Sequence, residues 1–221
     1  SSVRKTVTIR NHGVAPLDIA TISLVGLDPN DFTLDLPGLP ISVAPGGQTS
    51  IDVRFTPTDV GGKSATLRIL NNDPDKNIFH IVLNGTGLTA LEAWRQTYFG
   101  ASTETGERAN LADFDHDGLS NLLEYAFGTH PAQSTPADDR PRCGGTSGAF
   151  TITYQRPIGG ATGITYTVEL ANSNMSTWVA GVSGSDYSQS VIPNGDGSET
   201  VAITLTNPQA SRRFVRIRVS N

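Results

Sequence analysis

At 221 residues, with 37% hydrophobic residues, 23 Gly and 13 Pro, the chain has room for one large or two to three small domains, and its turn-rich composition suits β modules better than a helical bundle. The formal net charge of −5 is unevenly placed: residues 101–140 hold eight Asp/Glu against two Lys/Arg, which leaves the remainder near +1. That acidity argues against nucleic acid as a partner, no apolar run approaches the roughly 20 residues that span a bilayer, and Cys143, the single cysteine, rules out an internal disulfide.

The pattern from the first residues is already strand-like, so the chain reads as a piece of a longer protein. From Ser1 to about Gly87, apolar residues alternate with polar ones at period two, as expected of half-buried strands. Val7 and Ile9 alternate with Thr and Arg; Ile51, Val53 and Phe55 alternate with Asp52 and Arg54; Phe79, Ile81 and Leu83 flank His80 and Val82. Turn-forming clusters separate these runs at Asn11–Gly13, Asp28–Asn30, Ala44–Gly47, Val60–Gly62 and Asn71–Pro74. This spacing predicts an antiparallel sandwich over 1–87.

The motifs Thr6-Val-Thr-Ile-Arg-Asn11, Pro16-Leu-Asp-Ile, Val53-Arg-Phe-Thr-Pro57, Ala65-Thr-Leu-Arg-Ile69, Asn72-Asp-Pro74 and Leu83-Asn-Gly-Thr-Gly87 resemble the ASH/Hydin-type immunoglobulin-like domain. This module is called choice-of-anchor D in bacterial surface proteins and is similar to the major sperm protein fold. The resemblance implies a non-catalytic spacer or interaction module and brings no site residues with it.

Residues 88–132 change character. Thr89-Ala-Leu-Glu92 forms a capping box, in which the Thr oxygen and the Glu carboxylate satisfy free N–H groups at a helix start. Leu91, Trp94, Arg95 and Tyr98 follow at helical spacing, and Gly100 suits the stop. Then comes Asp113-Phe-Asp115-His-Asp117-Gly118-Leu119-Ser-Asn121-Leu-Leu-Glu124, an ungapped match to the calcium-loop pattern D-x-[DN]-x-[DN]-G-x5-E. Three carboxylates within five residues repel one another unless a hard cation, with six to eight oxygen ligands at roughly 2.3–2.6 Å, removes the cost. Asp113, Asp115 and Asp117 offer side-chain oxygens and Leu119 a backbone carbonyl. Gly118 permits the sharp turn, Asn121 acts directly or through water, and Glu124 closes the shell with two oxygens. A plain acidic helix cap accounts for the acidity but not for this spacing. A flexible all-oxygen loop suits calcium better than magnesium, and His116 between the ligand positions faces solvent. Leu119, Leu122, Leu123, Ala126 and Phe127 mark one face of a second helix, ended by Gly128 and Pro131.

Leu91–Gly100 and Asp113–Pro131 together resemble the helix and calcium-loop unit near the C-termini of large secreted proteins of the Verrucomicrobia and Planctomycetes, and the loop is similar to EF-hand, dockerin and thrombospondin type 3 loops. The chain has one such loop, and Ser120 stands where paired hands carry an apolar residue. The resemblance therefore implies a lone structural calcium site rather than a cooperative pair.

Ser, Thr, Pro, Asp and Gly dominate 133–148, which reads as a linker. The last segment, 149–221, alternates again: Phe150, Ile152 and Tyr154; Tyr166, Val168 and Leu170; Val201, Ile203 and Leu205; Val215, Ile217 and Val219. Asn194-Gly-Asp-Gly197 reads as a hairpin loop.

No G-x-S-x-G elbow, H-E-x-x-H, P-loop or G-x-G-x-x-G is present, and the four histidines lie in unrelated contexts. The expectation is thus a mainly β chain: two antiparallel immunoglobulin-like or β-sandwich modules joined by a short two-helix calcium-binding unit. It would be a non-enzymatic, extracellular or cell-surface part of a larger bacterial protein, serving as spacer, adhesion or anchoring region. Its expected partners are other domains of the parent protein and a cell-surface protein or glycan. The main alternative is a carbohydrate-binding accessory module of a secreted hydrolase, which needs Trp178, Tyr154, Tyr166 or Tyr187 to form an exposed aromatic platform. A hydrolase fragment would instead need titratable groups converging in a cleft, and a dockerin-like tag a calcium-dependent partner.

Overall fold

Alternation of apolar and polar side chains becomes, in the computed structural model, a pair of antiparallel sheets in each of two compact units, Ser1–Thr89 and Ala90–Asn221. The structure describes residues 2–146, 149–171, 175–206 and 214–221.

The first unit holds β1 (Val3–Arg10), β2 (Leu17–Gly26), β3 (Phe32–Asp35), β4 (Ile41–Val43), β5 (Gln48–Phe55), β6 (Gly61–Asn71) and β7 (Ile78–Gly87). One sheet runs β1-β5-β3 and the other β4-β2-β6-β7. The period-two residues do what their spacing demands. Ile51 and Val53 of β5 face Ala65, Leu67 and Ile69 of β6 across a core completed by Ile19, Ile22, Phe32 and Val43. Val60–Gly62, read as a turn, instead lets Gly61 and Gly62 open β6, paired with Gly87 and Thr86. Gly87 is required by crowding, because a Cβ there would lie 1.9 Å from the Asp59 carbonyl oxygen. One buried acid, Asp31, is fully served: Thr58 donates from its backbone N–H (3.0 Å) and hydroxyl (2.8 Å), and Lys63 approaches to 3.5 Å.

The second unit begins with α1 (Ala90–Phe99), continues through the acidic loop to α2 (Asn121–Phe127), and then enters strands β8 (Arg142–Thr146), β9 (Ala149–Pro157), β10 (Thr165–Ala171), β11 (Trp178–Ala180), β12 (Tyr187–Pro193), β13 (Ser198–Leu205) and β14 (Phe214–Ser220). One sheet runs β11-β10-β14 and the other β12-β13-β9-β8. Asn194–Gly197 connects β12 to β13, as the turn chemistry requires. The short helices share the strands' core. Phe127 and Leu123 of α2 pack with Ile152, Tyr154, Val168, Val201 and Ile203, while Leu91 and Trp94 of α1 meet Leu122, Tyr125 and Ala161. A seven-residue helix does not persist alone in water, so this burial is what holds α2. Two tyrosines tie it further: Tyr125 Oη donates to the Thr162 carbonyl (2.9 Å) and Tyr166 Oη to the Ala126 carbonyl (2.6 Å).

The linker expected over 133–148 is corrected in part by β8, which pairs with β9 from Arg142 to Thr146, while residues 147–148 lie outside the described residues. Its Arg-Cys-Gly-Gly-Thr sequence has no apolar alternation. As an edge strand it pairs with β9 through main-chain hydrogen bonds, which leave no periodic trace in the side chains. Cys143 is exposed there. Among the described residues, no helix is long and apolar enough to cross a membrane.

Candidate metal centre

The acidic loop curls because two residues take left-handed backbone angles, His116 (φ 60°) and Gly118 (φ 94°). Glycine adopts that region without strain, and histidine tolerates it less well. The curl turns the aspartates inward. One carboxylate oxygen from each of Asp113, Asp115 and Asp117 lies within 4.8 Å of the others. Internal hydrogen bonds fix them. Asp113 accepts from the N–H groups of Asp117 (3.1 Å) and Gly118 (2.8 Å), Asp115 from Asp117 N–H (3.1 Å), and Asp117 from Leu119 N–H (2.8 Å). His116 is exposed, in keeping with its place between the inward positions.

At the far end of the loop, α2 carries Glu124 into the interior. Its side chain is among the most completely buried in the protein, at 0% exposure, and neither carboxylate oxygen has a partner. Asp115 Oδ2 and Asn121 Oδ1 are likewise buried and unpartnered. Four orphaned oxygens therefore belong to positions three, nine and twelve of one twelve-residue loop. An unpaired buried carboxylate costs several kcal/mol and escapes the cost by taking up a proton. Accordingly, burial first and the charges of Asp115, Asp117 and Asp113 second push Glu124 up to about 8. Asp115 is raised for the same reasons, burial and then the Asp117 charge.

Asp117 goes the other way. Burial alone would raise it, but hydrogen bonds from Thr135 and Leu119 and the nearby Arg140 charge hold it below the usual carboxylate range. Thr135 N–H donates to Asp117 Oδ2 at 2.6 Å and Arg140 Nη2 lies 3.2 Å from the same oxygen.

Asn121 has a second employment that its place in the motif does not reveal. Its amide nitrogen donates to the carbonyls of Glu107 (2.8 Å) and Ala109 (2.9 Å), so it bolts the segment before the loop onto α2. From α1, buried Arg95 reaches the same segment through Asn110 Oδ1 and, at 3.3 Å, Glu104. Leu119 donates its N–H to Asp117 Oδ1. Sequence reasoning missed Thr135, Arg140 and the Arg95–Asn110 contact. The available signal was that Arg140 is one of only two Lys/Arg in the acidic stretch 101–140.

Asp113, Asp115 and Asp117 are thus the carboxylates brought close enough to share a cation; Glu124 lies outside that cluster but near enough for their charges to raise it, and nothing gathers Asn121 Oδ1 or the Leu119 carbonyl into the same cluster among the described residues. The set is all oxygen, without thiolate or inward imidazole, which favours a hard ion over zinc or copper. The four rings named for a sugar-stacking platform are otherwise engaged, and Tyr187 packs partly buried against the sheet core. Tyr154 is buried, Tyr166 is tied to Ala126, and Arg216 covers the ring of Trp178 at 4.1 Å.

Residues 1–78 match the model of the ASH family, described as abnormal spindle-like microcephaly-associated, ASPM-SPD-2-Hydin. The match covers most of the first unit and supports an immunoglobulin-like ASH domain there, as the spaced motifs imply; it stops short of the acidic loop. No curated protein matches the chain. Among solved structures, SSP-19, an MSP-domain protein like family member of Caenorhabditis elegans, is 13% identical, with 39% of this chain and 89% of that one covered and a TM-score of 0.30. The ASH/PapD-like domain 7 of human CEP192 is 12% identical, with 40% and 73% covered and a TM-score of 0.30. The secreted serine protease VesC from Vibrio cholerae is 11% identical, with 99% and 47% covered and a TM-score of 0.34. Overlaps this loose say nothing about function.

Proposed function

We propose that the chain is a non-catalytic, calcium-stabilised extracellular part of a larger bacterial surface or secreted protein, acting as a spacer, adhesion or anchoring region. One observation carries the calcium reading: Glu124 is fully buried with both of its oxygens unpartnered, near enough to three clustered aspartates for their charges to act on it. A purely structural interior has no use for such a group, because a leucine or glutamine of similar size would fit at lower cost. A divalent ion supplies the missing partner and turns the repulsion among the acids into attraction.

In the extracellular setting the ion is abundant. A ligand that binds only the folded state stabilises it by RT ln(1 + [L]/Kd), so millimolar calcium at a micromolar site contributes about 4 kcal/mol. That is a large share of the stability of a small domain. Because α2 shares the β core of the second unit, the benefit reaches the whole unit through Leu123 and Phe127. An immunoglobulin-like ASH domain in the first unit suits a spacer or docking role, with other domains of the parent protein, a surface protein or a glycan as partners.

The test is a pair of thermal melts, in millimolar calcium and in chelator. The reading predicts a calcium-dependent rise in the midpoint of the second unit, with one ion bound per chain by calorimetry. An unchanged midpoint together with no binding heat would overturn it.

A further inference from the structure

We infer that Arg140 is a resident cation that stands in for part of the ion's charge: it keeps the acidic loop folded when no ion is bound and, by doing so, holds calcium affinity down. The inference rests on the calcium reading above and concerns a residue outside the twelve-residue motif.

The stretch after α2 returns to the loop as a strap. It turns at Pro136–Asp139, where Asp139 N–H donates to the Pro136 carbonyl (3.0 Å), and it brings Thr135 and Arg140 against Asp117. All three guanidinium nitrogens are used. Nε donates to the Thr135 carbonyl (2.9 Å), Nη1 to the Asp117 carbonyl (2.8 Å), and Nη2 lies 3.2 Å from Asp117 Oδ2. A planar fork of this kind fixes orientation as well as charge, which a lysine cannot do. The Asp117 side chain is wholly buried while that of Arg140 is one-third exposed, so the cation closes the outer side of the loop.

The acids of the loop consequently fall into two classes. Asp115 and Glu124 keep unpartnered oxygens turned to the interior. Asp117 is already served: Oδ2 by Thr135 and Arg140, Oδ1 by Leu119 N–H. Its Oδ2 is committed to the strap, which leaves Oδ1 as the oxygen that can be shared with an ion.

The two states of the loop make opposite demands on Arg140. Without an ion, its charge is what offsets the buried Asp117 carboxylate, and removing one partner of a buried pair leaves the other uncompensated. With a divalent cation in the loop, Asp117 has a second source of compensation, and the guanidinium repels the ion across a short distance. Loss of Arg140 therefore harms the ion-free fold more than the ion-bound fold. By reciprocity, the same coupling appears as tighter calcium binding, and couplings of this kind fall at about 5-fold or more.

The experiment compares wild type, Arg140→Gln and Arg140→Lys in four measurements each: melting midpoint in chelator, midpoint in calcium, calcium affinity by calorimetry, and its dependence on ionic strength. In chelator, R140Q melts below wild type; in saturating calcium the two midpoints converge, and R140Q binds calcium about 5-fold more tightly. R140K, which keeps the charge and loses the fork, stays within about 2-fold of wild-type affinity. Should R140Q not fold in chelator yet reach the wild-type midpoint in saturating calcium, the inference stands; failure to fold in both conditions overturns it. Equal destabilisation of R140Q in both conditions, or weaker calcium binding, would overturn the inference and leave the calcium reading standing. A wild type that binds no calcium would remove the calcium reading itself, and that result is visible before any variant is measured.

Discussion

The two units solve the problem of burial in opposite ways. In the first, the core is apolar side chains and the one buried acid, Asp31, meets three donors. In the second, helices and sheets close around a polar knot of Arg95, Asn110, Asn121 and Glu124. Among the described residues, every buried side-chain nitrogen or oxygen that lacks a partner belongs to the second unit. Buried polar groups are normally paired, so the second unit is where the proposed ion would supply what the Asp115, Asn121 and Glu124 oxygens lack. The first unit is complete with its own side chains; the second leaves buried oxygens of Asp115, Asn121 and Glu124 without a partner among the described residues.

The comparison predicts a split response to chelation. Removing calcium costs the second unit about 4 kcal/mol, which lowers its midpoint by roughly 10 °C, and leaves the first unmoved. Calorimetric melts in calcium and chelator check this, and a shift of both units together would blur the distinction. The mirror-image perturbation is Leu67→Ala. Leu67 is completely buried between the sheets, so truncation costs the first unit about 2–5 kcal/mol, equally with and without calcium. Glu124→Gln sharpens the contrast from the other side. It removes the acid that must take up a proton when the ion-free unit folds at neutral pH, so that unit gains stability, while the loss of a two-oxygen ligand abolishes the response to calcium.

A smaller effect follows from protonation. Without calcium, Glu124 holds its proton up to about 8, whereas in the unfolded chain it releases it near the ordinary carboxylate value. The folded state therefore binds more protons than the unfolded state between those values, and ion-free stability falls as pH rises from about 5 to 8. Bound calcium removes that slope, because the carboxylate is then ionised in the folded state as well. Melts across this range in chelator and in calcium read out the difference, and parallel slopes would contradict the assignment of Glu124.

Much of the first unit was legible in the sequence because its strands have one wet face and one dry face. Ile51 and Val53, or Leu67 and Ile69, announce their side of the sheet by spacing alone. The acidic loop was legible for a related reason: Asp113, Asp115 and Asp117 fall at alternate positions, and the structure gathers their carboxylates within 4.8 Å of one another. What stayed hidden depends on backbone or on distance along the chain. β8 is built of Arg-Cys-Gly-Gly-Thr and holds its place by main-chain pairing that any residues could make. The strap lies 18 and 23 residues beyond Asp117, and Ser/Thr/Pro composition gave it the look of a linker. Asn121 was visible as a loop position, but its hold on the Glu107 and Ala109 carbonyls requires the fold to bring them together.

The most direct test is a high-resolution crystal structure of the protein grown in excess calcium. The account predicts one ion inside the loop, six to eight oxygens at roughly 2.3–2.6 Å, both oxygens of Glu124 among them, and Arg140 still on Asp117. Clear density for Asp113–Glu124 with no ion, and Glu124 as solitary as before, would contradict it.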